Sequence, residues 1–224
     1  PLYPINFVHD QQQNESRNGG FMAEKLQLLD GWIGALFAEV DKLGIADNTL
    51  VVFMSDNGSF RQYAGLSGMS ELIYRGGKAE HLEGGVRVDA FARWPGVIEA
   101  GSAAGDIVHV ADLYTTFARI GQATEFIPRD RIIDGVDQRE FFMGNQMKSN
   151  RESVFVYVGE ELHGIKWRNW KLMFKEMDHM RGPSLDRMAM YNLLLDPREK
   201  CPMQNAMEDS WIEFPVGQAL YDHF

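Results

Sequence analysis

A long amphipathic pattern that leads into a wholly apolar segment constrains the fold of this 224-residue chain more than any other feature. From Phe21 to Leu43 the apolar residues recur at steps of three and four, which places them on one face of a helix, and Gly44 follows as its cap. Residues 49–55 then predict a strand. Its centre, Val51–Met54, is apolar on both faces, which is typical of a parallel sheet covered by helices. The pattern therefore predicts an α/β fold.

The character of the chain changes after residue 150. The segments ESVFVYVG, GIKWRNWKLMFKE and MAMYNLLLD predict strands, and the second bends into a hairpin at Arg168–Asn169. Before that point the segments LYPINFV and VRVDAFARW predict further strands, and VADLYTTFARIG predicts a helix. We expect residues 1–148 to belong to an α/β domain and residues 149–224 to a smaller antiparallel subdomain.

Composition excludes several classes of function. The net charge of -10 argues against a nucleic acid or an anionic membrane surface as the main partner. The single cysteine, Cys201, excludes an intramolecular disulfide and a cysteine-rich zinc site. No segment approaches the roughly 20 apolar residues that span a bilayer, so no membrane span is predicted.

The strand at residues 49–55 ends on Asp56-Asn57-Gly58. Ligands of open α/β sheets bind beyond the carboxyl ends of the strands, and carboxylate and amide oxygens suit Ca²⁺ or Mg²⁺ rather than zinc. Two donors are too few alone, because Ca²⁺ takes about six to eight oxygens. Asp-Asn-Gly is also a common turn sequence, so both interpretations stay open on these residues alone.

A glycine-rich segment over residues 59–85 predicts a long functional loop. Gly76 and Gly77 allow the backbone to approach a ligand before Lys78, and a lysine held there is suited to an oxyanion. The alternative for Lys78 is a solvated surface lysine. The rim of the loop offers aromatic and thioether side chains for ring stacking or for loop packing, namely Tyr63, Met69 and Tyr74.

Several motifs in order resemble the second half of the arylsulfatase family. They are ADNTLVVFMSDNG, GGKAEHLEGGVR, RWPGVIEAG, IDGVDQREFFMG, KSNRESVFVY, KWRNWKLMFK and MYNLLLDPRE, and together they span nearly the whole chain. The resemblance implies an alkaline-phosphatase-like α/β fold with a small C-terminal antiparallel sheet. It also implies hydrolysis of sulfate esters, aryl or sugar sulfates, by a formylglycine nucleophile beside Ca²⁺ (Mg²⁺ is the alternative), in a periplasmic or secreted protein.

The resemblance also implies roles for individual residues. Asp56 and Asn57 correspond to metal ligands, and Lys78 corresponds to the lysine that contacts the sulfate oxygens. A family histidine after an early strand touches the substrate, and His9 is the candidate here. Because the family's His-x-Pro continuation is absent, an ordinary loop histidine is the alternative for His9.

Other residues of the glycine-rich loop have no direct counterpart in these roles. His81 is expected at the surface, with a substrate-side position as the alternative. Glu83 and Arg87 are expected to brace the loop and the strand that follows it.

The sequence contains only part of a sulfatase site. The family's Cys/Ser-x-Pro-x-Arg motif, the source of formylglycine, does not occur, and Cys201 has neither its spacing nor its arginine. The early pair of metal-binding aspartates is absent as well. We therefore expect the missing N-terminal half or another subunit to supply these groups, and we expect the isolated chain to be inactive.

Two other classes of function remain open on the sequence. One is a non-catalytic sulfatase-fold module that binds a sulfated glycan or a protein, as the missing nucleophile suggests. The other is a phosphodiesterase or phosphonate hydrolase of the same superfamily, which would need two transition metals and more histidines.

Overall fold

The computed structural model describes residues 20–59, 73–177, 184–203 and 210–224. The chain divides between Ala90 and Phe91 into two compact units. The strand expected over residues 2–8 lies outside the described residues, as do residues 60–72 of the glycine-rich loop.

The first unit contains the predicted helix and strand. Helix α1 runs over Gly20–Lys42, and Gly44 follows it with φ of +66°, a conformation in which glycine avoids the strain of a β-carbon. Strand β1, Val51–Met54, belongs to a two-stranded sheet. A short helix α2, Glu83–Val86, lies in the glycine-rich loop. Strand β2, Ala90–Arg93, starts at the last residue of this unit.

Strand β1 is less covered than its composition predicts. Three of its residues are half-buried, and Phe53 is 38% exposed. A strand that is apolar on both faces is stable when layers cover both of them. The described residues therefore cover β1 only in part.

Helix α1 has apolar side chains on two of its sides. One side holds the buried Val40 and the half-buried Ile33. Another side holds Leu28, Trp32 and Leu36, which follow each other at steps of four and are 51%, 57% and 53% exposed. We call these three residues the outer stripe of α1.

The second unit contains the predicted helix and the predicted antiparallel sheet. Helix α3 runs over Val110–Ile120, and the expected short helical turn is α4, Arg139–Phe142. Strands β3 (Ser153–Val158), β4 (Glu161–Trp167), β5 (Trp170–Met177) and β6 (Ser184–Asn192) form an antiparallel sheet in the order β3-β4-β5-β6.

A C-terminal helix, α5, covers Glu213–His223 and was not predicted. Pro215 and Gly217 weaken its helical pattern, although proline is tolerated in the first turn of a helix. The helix is held by tertiary packing, because Ile212 and Val216 join the hydrophobic core of the sheet around Ile165.

A buried ion pair lies in the same subdomain. Lys171 Nζ is 2.8 Å from Glu199 Oε1, and both side chains are fully buried. Lys171 and Met173 lie on the same face of the sheet, because side chains two residues apart on a strand share a face.

No helix within the described residues is long and apolar enough to cross a membrane.

Candidate functional site

The turn after β1 is organised by its own polar groups. Ser55 Oγ donates to the Asn57 carbonyl at 2.8 Å, and Asn57 Nδ2 donates to the Gly58 carbonyl at 2.8 Å. The second bond uses the nitrogen of the Asn57 amide, so the oxygen is the amide atom left for a cation. Asp56 is exposed and Asn57 is half-buried.

Gly58 is held against the second glycine pair of the loop. Its amide donates to the carbonyl of Gly85 at 2.9 Å. A β-carbon at Gly58 would lie 1.8 Å from the carbonyl oxygen of Gly84, a distance that no side chain can occupy. The turn can therefore approach the loop this closely only because residue 58 is glycine.

The lysine-bearing end of the loop meets the same turn. The amide of Lys78 donates to the carbonyl of Ser59 at 2.9 Å, two residues beyond Asn57. Gly76 has φ of +87°, which directs the chain toward this contact. The structure thus joins the Asp56-Asn57 turn and the Lys78 segment through backbone hydrogen bonds, although about twenty residues separate them in the sequence.

The interior of the loop is packed backbone against backbone. The amide of Gly84 donates to the Arg75 carbonyl at 2.7 Å. A β-carbon at Gly85 would lie 2.0 Å from the Glu80 carbonyl oxygen and 2.5 Å from that of Gly77. Glycine is required at these positions because the two arms of the loop touch there.

The loop encloses two titratable side chains. His81 is 4% exposed and Glu83 is 1% exposed. The expectation that His81 lies at the surface was therefore wrong, because the folded chain removes its ring almost completely from solvent. Arg87 Nη1 lies 3.9 Å from Glu83 Oε2, and the Arg87 guanidinium carbon lies 4.6 Å from the centre of the Tyr74 ring.

The remaining predicted site residues fall outside this geometry. His9, Tyr63 and Met69 lie outside the described residues. Cys201 is exposed and free, in the second unit.

The donors beside the turn fit part of a hard-cation site. Asp56 offers carboxylate oxygens and Asn57 an amide oxygen, which are the donors that Ca²⁺ and Mg²⁺ take. Within the described ranges no group of three or more histidine, cysteine, aspartate or glutamate side chains could hold a metal ion. At this turn the side-chain oxygens with the chemistry that such a cation takes are those of Asp56 and Asn57.

A second polar centre lies in the second unit. Asp112 is fully buried, and its carboxylate accepts hydrogen bonds from Arg151 Nη2 at 2.6 Å and from the amide of Val136 at 2.8 Å. Burial acts to raise the pKa of Asp112, but the bonds from Arg151 and the backbone outweigh it and hold the pKa below its usual range. The pair spans 39 residues of sequence. No local pattern in the sequence signals it, so sequence reasoning missed Arg151.

His109 caps helix α3 beside this centre. Its Nδ1 accepts a hydrogen bond from the Ala111 amide at 3.2 Å, while its own amide donates to Asp112 Oδ2 at 2.9 Å. Burial, and then the positive charge of Arg151, lower the pKa of His109. The neutral ring is the form that can accept at Nδ1.

Comparison with known proteins gives consistent matches. The Sulfatase family model matches residues 5–123. Steryl-sulfatase of Rattus norvegicus is 35% identical over 171 residues, and the match covers 75% of this chain and 29% of that protein. Arylsulfatase H of Homo sapiens is 34% identical over 154 residues, which cover 66% of this chain and 27% of that protein.

Solved structures agree with these matches. The PsFucS1 sulfatase from Pseudoalteromonas sp. superposes with a TM-score of 0.76 at 30% identity, and the match covers 85% of this chain and 39% of that one. The Ps i-CgsB structure in complex with k-i-k-neocarrahexaose superposes with a TM-score of 0.72 at 22% identity. At this identity the match shows a shared fold and nothing about function. These matches confirm the alkaline-phosphatase-like α/β fold class.

The chain belongs to the sulfatase family, since the family model covers more than half of it. It spans less than a third of the two curated relatives and less than half of the two solved neighbours.

Proposed function

We propose that this chain provides the metal-and-sulfate side of an active site that hydrolyses sulfate esters. Asp56 and Asn57 would hold a divalent cation, Ca²⁺ or Mg²⁺, and Lys78 would hold the sulfate oxygens. The observation that carries the proposal is the pair of backbone contacts that joins the Asp56-Asn57 turn to the loop. These are the 2.9 Å bonds from Gly58 to Gly85 and from Lys78 to Ser59.

Each residue would have a distinct part in the chemistry. When bound, the cation would polarise the sulfate and lower the pKa of the nucleophile. Lys78 would neutralise charge that develops on the sulfate oxygens, as a positioned point charge in a glycine-lined loop. His9 would donate a proton to the leaving oxygen as a general acid.

The nucleophile and the other metal ligands would come from outside this sequence. The motif that yields formylglycine does not occur in the 224 residues, so we propose that the rest of a sulfatase domain, or another subunit, supplies it. The outer stripe of α1 supports this, because Leu28, Trp32 and Leu36 are more than half exposed. A helix with apolar residues on two sides is stable between two packed layers.

The substrate belongs to the aryl or sugar sulfates, and we propose a periplasmic or secreted location. The names of the relatives motivate both classes of substrate, since they include arylsulfatase H and N-acetylgalactosamine-6-sulfatase. The isolated chain would be inactive and would bind Ca²⁺ weakly, because it lacks the remaining acidic ligands.

The test begins with the intact mass of the native protein, which shows whether a formylglycine-bearing segment accompanies this chain. Hydrolysis of an aryl sulfate and of a panel of sugar sulfates is then measured with Ca²⁺ and after treatment with a chelator. Lys78→Ala is expected to lower kcat by about 100- to 1,000-fold, the loss typical of removing one charge-stabilising donor. Asp56→Asn is expected to weaken Ca²⁺ binding, and chelation to abolish activity that Ca²⁺ restores.

Lys42→Ala serves as the matched control. Lys42 pairs with Glu39 on exposed helix surface, so its loss should leave hydrolysis unchanged. Full activity in Lys78→Ala would contradict the proposal. Binding of a sulfated glycan without metal and without hydrolysis would instead support the non-catalytic module.

A further inference from the structure

Two side chains connect the ends of the loop that carries Lys78. Tyr74 precedes the first glycine pair and Arg87 follows the second. The Arg87 guanidinium carbon lies 4.6 Å from the centre of the Tyr74 ring, within the range of a cation–π contact. The loop therefore begins and ends at one side-chain contact.

The same arginine faces a buried carboxylate. Glu83 is 1% exposed, and Arg87 Nη1 lies 3.9 Å from its Oε2. A carboxylate removed from water is stabilised by a nearby positive charge. Arg87 therefore connects the outer contact with Tyr74 to the interior of the loop. We call Tyr74, Arg87 and Glu83 the clasp.

The clasp is connected to Lys78 by rigid packing. Gly85, two residues before Arg87, packs so closely that an added β-carbon would lie 2.5 Å from the carbonyl oxygen of Gly77. Lys78 is the next residue, and its amide is bonded to Ser59. With backbone packed directly on backbone, a displacement of Arg87 moves the segment that presents Lys78.

We propose that Arg87 is a positioning residue, which closes the loop through the clasp and so holds Lys78 beside the Asp56-Asn57 turn. The expected effect of Arg87 on hydrolysis rests on the proposed function, whereas its effect on the loop does not. It assigns Tyr74 to the loop rather than to a substrate ring, because the guanidinium of Arg87 lies over the Tyr74 ring.

The first test measures how readily the loop opens to solvent. Hydrogen–deuterium exchange of peptides covering residues 75–85 is compared in the full-length protein and in its Arg87→Met and Tyr74→Leu variants. Both variants are expected to exchange about tenfold faster there, since local opening becomes easier, while peptides from strands β4 and β5 stay unchanged. Tyr74→Phe keeps the ring and is the matched control, expected to exchange like the parent.

The second test measures hydrolysis of an aryl sulfate by the full-length protein, well below its Tm. Arg87→Met and Tyr74→Leu are each expected to lower kcat/KM by about 10- to 100-fold, the effect of a misplaced catalytic group. The double variant should be no worse than the poorer single variant, because both break one clasp. Arg87→Lys should recover part of the loss, and Arg131→Met, at an exposed arginine, should have no effect.

The outcomes separate this inference from the proposed function. Normal exchange and normal kcat/KM in both clasp variants, with activity lost in Lys78→Ala, would overturn the clasp and leave the proposed function standing. Full activity in Lys78→Ala would overturn the proposed function, and with it the effect of Arg87 on hydrolysis. If Arg87→Met does not fold, the exchange and the kcat/KM of Tyr74→Leu test the clasp instead, because this variant keeps the positive charge that faces Glu83.

Discussion

The amide of Gly58 donates to the carbonyl of Gly85 at 2.9 Å. This bond joins the turn that follows β1 to the loop that carries Lys78, and the space between them is too small for a β-carbon.

Gly58→Ala is expected to break this contact. An added methyl group would overlap the Gly84 carbonyl, so the turn or the loop must move, at a cost of about 1–3 kcal/mol in free energy of unfolding. Urea denaturation measures the loss. Gly34→Ala is the matched control, since nothing lies within 4 Å of a β-carbon there and alanine favours the helix. Equal stabilities for the two variants would contradict the packing described.

Arg151→Met is expected to destabilise the second unit by about 3–5 kcal/mol, because it leaves the buried carboxylate of Asp112 without its cation. The side chain of Arg151 is 13% exposed and that of Asp112 is fully buried. Thermal or urea unfolding gives the change. The comparison variant is Arg131→Met, whose pair with Asp130 is exposed, so no measurable change is expected.

The free energy of unfolding should fall on mild acidification, because His109 must take up a proton that the folded protein disfavours. Its pKa in the folded protein lies below the ordinary 6.5, so the unfolded chain binds the proton more readily. The contribution is fully present above the unfolded pKa and is lost as pH falls through that value toward the folded pKa. Unfolding measured above and below this window should show a larger loss for the parent than for His109→Asn, which caps the helix without titrating. Parallel curves would rule out this role.

Lys171→Met is expected to cost about 3–5 kcal/mol in free energy of unfolding, because it removes the positive charge 2.8 Å from the buried Glu199 carboxylate. Adding Glu199→Gln should recover a large part of this loss, since the buried negative charge is then removed as well. The free energies of unfolding of both single variants and the double variant form a mutant cycle that measures the coupling. Additive losses would show that the 2.8 Å pair contributes little.

Local patterns predicted most of the described secondary structure. The steps of three and four in α1, the glycine after it and the alternating strands after residue 150 are signals that neighbouring residues carry. The turn at Arg168–Asn169 was confirmed, with Arg168 at φ of +52°. Helix α5 was missed because its stability comes from packing on the sheet, and the proline and glycine within it conceal its pattern.

The candidate site was partly predictable. The motifs around Asp56, Asn57 and Lys78 can be read directly from the sequence, and their assignment to metal and sulfate stays a prediction. The burial of His81 could not be predicted from the sequence, because the exposure of a side chain within a loop depends on how the loop folds and not on its neighbours in the sequence. The contact of Arg87 with Tyr74 is equally absent from any local pattern.

The sequence by itself determined the family, the order of the elements and the residue types that motifs place at the end of β1 and in the loop. Only the tertiary structure decided which of these segments touch. It joined Gly58 to Gly85 and Asp112 to Arg151, and it enclosed Lys171 with Glu199. The physical reason is that short-range periodicity is encoded by neighbouring residues, whereas contacts across tens of residues depend on how the whole chain packs to bury apolar surface and satisfy its polar groups.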